Sequence, residues 1–147
     1  MKRIQIIIAV LCALVFVSTA GISANAQEKK GVITLSSKEF KTLVYDIPDK
    51  DLEYLGTKPA IVDLYASWCG PCRAISPILE ELAAEYKDKI VIYKVDVDAS
   101  EDLAREFGVR SIPAVLFIPM KGKPTMTVGG RSKEDFKKQI DSMLLGK

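Results

Sequence analysis

Histidine is absent from the 147-residue chain, tryptophan occurs once and cysteine three times. Without imidazole, Ser-His and Cys-His catalytic arrangements are excluded, and a zinc site loses a common nitrogen ligand. No charge of one sign dominates: 21 lysines and arginines stand against 19 aspartates and glutamates, a formal net charge of +2. Nucleic acid, which calls for a basic stripe, is therefore not an expected partner. The long apolar run, Ile4 to Val17, is broken only by Gln5 and Cys12 and follows Met1-Lys2-Arg3.

That order, charge and then apolar segment, is the layout of a secretory signal, and Ala24-Asn25-Ala26 supplies the small side chains a signal peptidase accepts. Residues 1–26 are expected to be removed before Gln27, and the protein to be exported, in a bacterium to the periplasm. The competing reading, an uncleaved anchor, is weakened because the run is shorter than the ~20 residues that span a bilayer. Leu11 before Cys12 does not suit a lipoprotein signal, so Cys12 leaves with the leader. Residues 27–147 suit one domain. Since the leader holds two basic residues and no acids, that domain carries 19 of each sign and no net charge.

Within it, residues 32–35 read as a short strand, and Ser36-Ser37-Lys38-Glu39 as a capping box opening a helix to about Tyr45. Asp46 to Pro59, with two prolines and a glycine, reads as a loop with room for one helical turn. Ala60 to Ala66 is apolar on both alternating faces except at Asp63, as a strand covered on both sides should be. A helix is expected over about 69–86, from Ile75, Ile78, Leu79, Leu82 and Ala83 at helical spacing, with a kink at Pro77. Then follow a strand over 89–96, a helix opened by a capping box at Asp98-Ala99-Ser100-Glu101 and stopped at Gly108, a hairpin of 114–118 with 125–128, and a last amphipathic helix from Ser132. The order βαβαβαββα predicts an α/β fold, a central mixed sheet flanked by helices on both faces.

Cys69 and Cys72 stand one helical turn apart at the start of the second helix. Zinc would need about four ligands where this pair offers two. A structural disulfide is permitted by export, but closing so short a loop stabilises a fold by only ~2 kcal/mol, against ~4.7 for a hundred-residue loop. A redox role uses the position: a helix N-terminus presents unpaired N–H groups and a positive dipole end, favouring the thiolate of Cys69. Cys72 on the same face can then resolve a mixed disulfide by attacking Cys69.

Trp68-Cys69-Gly70-Pro71-Cys72 resembles the active-site motif of the thioredoxin family. Val62-Asp63, Pro77, Tyr93-Lys94-Val95-Asp96, Ser111-Ile112-Pro113 and Val128-Gly129 follow in the family's order, so the resemblance covers about Val32 to Leu145, and with the leader it is to exported bacterial thioredoxins. It implies the thioredoxin fold, the pair at the sheet's C-terminal edge and a cis peptide at Ile112-Pro113. It also implies that Asp63 is the general base that deprotonates Cys72 and that Lys94 tunes Asp63; the competing readings are a structural aspartate and a lysine that snorkels to solvent. Trp68, Gly70, Pro71, Pro77, Ile112, Pro113 and Gly129 would shape the substrate surface, with Gly130 less well matched. No metal and no cofactor beyond the Cys69–Cys72 disulfide is implied.

Two features depart from the family pattern: Tyr65 stands where many members have tryptophan, and the Asp46–Pro59 link is long. The implied activity is reduction of protein disulfides by a monomer. Because a soluble nicotinamide-dependent reductase is not expected outside the inner membrane, its electron donor would be a membrane protein. The alternatives are a reductase dedicated to one client such as apocytochrome c, a disulfide oxidase or isomerase, and a non-catalytic binding module. Gly70-Pro71 resembles the reducing branch of the family.

Overall fold

The computed structural model describes residues 31–46 and 53–147. The expected leader, its cleavage site and residues 47–52 of the long link lie outside the described residues. The elements are β1 (Ile33–Thr34), α1 (Ser37–Leu43), β2 (Ala60–Tyr65), α2 (Gly70–Glu85), β3 (Val91–Asp96), α3 (Glu101–Glu106), β4 (Ala114–Ile118), β5 (Thr125–Val128) and α4 (Lys133–Gln139), the last passing into a π-helical stretch Ile140–Leu144. This is the expected order.

The five strands lie in the order β1-β3-β2-β4-β5. β2 runs parallel to β3 and antiparallel to β4, which makes the sheet mixed. Alternation along the strands divides the core into two layers. Ile61, Ile92, Val115 and Phe117 face Ile75, Leu79 and Leu82 of α2 and Phe136 of α4. Ala60, Val62, Leu64 and Leu116 face Phe40 of α1 and Leu103 of α3. The helices thus cover both faces, and β2 is shielded on each side.

Local chemistry sets several boundaries. Ser36 and Glu39 form the expected capping box, the serine oxygen accepting from Glu39 N–H and the glutamate accepting from Ser36 N–H. Such a cap stabilises a helix by about 1 kcal/mol. The second expected box does not form: Ser100 is the N-cap of α3 and makes no side-chain cap bond. Asp98 stands two residues before that N-cap, outside the position from which a side chain caps the helix. α2 runs from Gly70 to Glu85 with Pro77 inside it.

The long link carries no helical turn in its described residues. Instead Tyr54 pairs with Tyr45 in an isolated bridge, and its hydroxyl donates to the Lys58 carbonyl at 2.5 Å. Burial of that ring against Tyr45 ties the link to the α1 and α3 side of the sheet.

Candidate active site at the Cys69–Cys72 pair

β2 delivers the pair. Just past its end, the Ala66 carbonyl accepts from Cys69 N–H at 3.1 Å, a turn that redirects the chain into α2. Cys69 is the N-cap of that helix, with φ −75° and ψ 109°, and Pro71 sits in the first turn. Proline is tolerated there because an N–H would have no helical acceptor. Cys72 N–H donates to Cys69 Sγ at 3.2 Å. The two sulfurs are bonded, with their Cα atoms 5.3 Å apart. Both cysteines are buried, but only Cys69 borders an open groove.

The groove encloses about 910 Å³ and brings together five residues picked out from the sequence: Trp68, Cys69, Gly70, Pro71 and Ile112. Its far wall is α3 and the segment that returns from it. Gly108, at φ +61°, turns the chain after α3, a conformation glycine adopts without steric penalty. Val109, Arg110 and Ser111 then run along the groove to Ile112. The Ile112–Pro113 peptide is cis, as the resemblance implied. Gly129 reaches the same place from β5, its N–H donating to the Pro113 carbonyl at 2.9 Å with φ at +92°. Pro77 lines neither this groove nor the smaller cavity beside it.

Asp63 lies on β2, the strand that leads to the pair. By alternation it shares the face of Ile61, the side covered by α2, and it is only 2% exposed. Its Oδ1 is buried with no hydrogen-bond partner. Burial pushes its carboxyl up to about 7, against the smaller opposing pull of the Lys94 ammonium. Desolvation prevails because no donor on the protein compensates the charged form at that oxygen. Lys94 is the register partner of Asp63 on β3. Its Nζ lies over the Tyr65 ring, 5.3 Å from the centroid, and no ion pair joins it to Asp63 among the described residues.

Trp68 is 67% exposed, yet its indole is fixed: Nε1 donates to Asp98 Oδ2 at 2.8 Å. Sequence reading gave Asp98 to a helix cap and so missed this bond. It also missed the groove residues Val97, Arg105, Val109 and Arg110. Of these, Arg105 and Arg110 carried a signal in composition, since the chain has only five arginines. No group of three or more histidines, cysteines and carboxylates able to hold a metal occurs among the described residues.

Comparison with known proteins agrees with this geometry. The sequence profile of the Thioredoxin family matches residues 31–142. The chain is 43% identical over 109 residues to a thioredoxin of Borreliella burgdorferi, covering 74% of this chain and 93% of that one. It is 38% identical over 106 residues to a thioredoxin of Chlorobaculum thiosulfatiphilum, covering 72% and 90%. A chloroplastic M-type thioredoxin of Pisum sativum is 41% identical over 86 residues, 58% of this chain and 50% of that protein. A bonded Cys-Gly-Pro-Cys pair capping a helix at the end of a central strand, together with these matches, establishes that the chain belongs to the thioredoxin family of disulfide oxidoreductases.

Proposed function

We propose that the protein is an exported reductase of protein disulfides, cleaved before Gln27 and working as a monomer, for which Cys69 is the attacking thiol. The observation that carries this reading is the unequal placement of the two sulfurs: Cys69 caps α2 at the edge of the groove, and Cys72 lies one turn inside. A thiolate at Cys69 would be stabilised by the helix N-terminus and by the Cys72 N–H already directed at its sulfur.

In the reduced protein, the Cys69 thiolate attacks one sulfur of a client disulfide. A Cys69–client mixed disulfide forms, and the other client sulfur leaves as a thiolate. Cys72 then gives up its proton, with Asp63 as the base, and attacks Cys69 Sγ. The Cys69–Cys72 bond forms and the second client sulfur leaves, so two electrons have passed from the protein to the client. A carboxyl titrating near 7 suits proton exchange at neutral pH. Trp68, Gly70 and Pro71 form the contact surface, and Ile112, whose N–H makes no backbone hydrogen bond among the described residues, is open to pairing with an extended client segment. Pro113 and Gly129 hold that segment's platform.

Rereduction requires a dithiol donor, and export points to a protein of the membrane. Equilibration of the pair in thiol–disulfide buffers tests the direction. Thioredoxin's own reference potential is about −270 mV and that of a strong bacterial oxidant about −120 mV. A value near the first supports a reductase; a value near the second makes the protein an oxidant. Sequencing the N-terminus of the secreted fraction tests export, with Gln27 as the expected first residue.

A further inference from the structure

The chain has five arginines, and the four outside the expected leader, Arg73, Arg105, Arg110 and Arg131, all stand around the Cys69–Cys72 pair. Arg105 and Arg110 line the groove beside Cys69. Arg131 lines a smaller cavity of about 390 Å³ on the other side, which shares Pro71 with the groove. Arg73 follows Cys72, and its Nη1 donates to the Ser67 carbonyl at 3.1 Å. No lysine lines either cavity.

The division of labour extends to ion pairs. Every ion pair among the described residues is made by Lys41, Lys133 or Lys137, and none by an arginine. Arg131 Nε is buried with no hydrogen-bond partner. Of the acids nearby, Asp98 is engaged by Trp68 and Asp135 by Ser132. That leaves Glu101 as the carboxylate facing Arg105 and Arg110 in the groove.

We propose that this surface selects client disulfides set in acidic polypeptide segments, with aspartate or glutamate side chains on both sides of the attacked cysteine taken by Arg105 and Arg110 in the groove and by Arg73 and Arg131 across it. The inference rests on the reductase reading and names its substrate class. Guanidinium is the fitting group because its planar fork matches a carboxylate with two parallel hydrogen bonds, where an ammonium acts as a point charge. The groove's apolar wall, Val97, Val109 and Ile112, supports the client's backbone and apolar stems. The charged rim supplies orientation and encounter rate.

The test uses three synthetic disulfide peptides, identical except for glutamate, glutamine or lysine flanking the cysteines, reduced in competition by the reduced protein. Glutamate flanks should raise kcat/KM about three- to tenfold over glutamine at low ionic strength, with the ratio falling toward one at about 1 M salt. In an Arg105→Gln, Arg110→Gln protein the ratio should drop toward one, while a Lys121→Gln, Lys123→Gln protein, altered in the distant β4–β5 hairpin, should keep it. Because each ratio is internal to one protein, a general loss of activity does not imitate the effect. Equal reduction of glutamate and glutamine peptides, or a ratio that survives the arginine changes, overturns the acidic preference and leaves the reductase reading standing. Reduction of none of the peptides refutes both.

Discussion

Lys94 sets its ammonium over the face of Tyr65 and, among the described residues, makes no ion pair with Asp63, its register partner on the neighbouring strand. Since Tyr65 lies two residues beyond Asp63 on the same face of β2, one cation serves both groups, in contact with the ring and at longer range with the carboxylate.

Removing that cation should raise the Asp63 titration further. The ammonium favours the charged carboxylate, so Lys94→Met leaves desolvation unopposed, and the midpoint should move above its present value of about 7. Carbon-detected NMR of the Asp63 carboxyl across pH 5 to 9 measures this. A midpoint that stays or falls would mean the ammonium does not reach Asp63.

Stability should decline as pH rises toward neutrality. The Asp63 carboxyl titrates near 3.8 when free and near 7 in the folded chain. Between those values only the folded chain holds the proton, so stability from this group is fully present below about pH 4, falls through pH 7 and is flat above it. The shift of about three units corresponds to roughly 4 kcal/mol. Asp63→Asn should therefore gain most over the parent at pH 8, less than half as much at pH 5 and almost nothing at pH 3.5, as read from urea midpoints of the disulfide form. An equal effect at all three pH values would argue against a buried titrating carboxyl.

Kinetics should separate the two sulfurs. Cys72→Ser should halt at the Cys69–client mixed disulfide, visible by mass spectrometry, whereas Cys69→Ser should capture no client. With both cysteines present, Asp63→Asn should slow resolution by on the order of tenfold to a hundredfold, at or below the low end of general-base effects because solvent can also accept the proton. Normal resolution in Asp63→Asn would return this aspartate to a purely structural role.

Gly129→Ala should destabilise the fold by about 1–2 kcal/mol through backbone strain alone. The residue sits at φ +92° with open space where a Cβ would go, so no clash contributes. Thermal unfolding reads the loss, and Gly70→Ala, where φ is not in that region and the Cβ site is also open, is the comparison.

The architecture was legible wherever pattern and burial agree. β2 and β4 are covered on both faces and read as apolar runs, broken in β2 by Asp63 alone, and α2 showed its buried stripe at Ile75, Leu79 and Leu82. The motif cysteines and Asp63 stood out because each conflicts with its surroundings. Asp98 was misread because a short acid before a helix has two uses, a cap or a partner, and only the fold brings the Trp68 indole to it. The groove was invisible for the same reason: Cys69 and Arg110 are distant in sequence and meet only once Gly108 turns the chain back.

One feature makes the protein convenient to observe. Trp68 is the chain's lone tryptophan, it precedes Cys69, and its indole is pinned by Asp98 in a largely exposed setting. Emission excited at the indole band therefore comes from one fluorophore beside the bond that opens and closes in each turnover. Because disulfides quench neighbouring indoles, the molecule should dim on oxidation and brighten on reduction. Its redox state can then be followed optically, with no label attached.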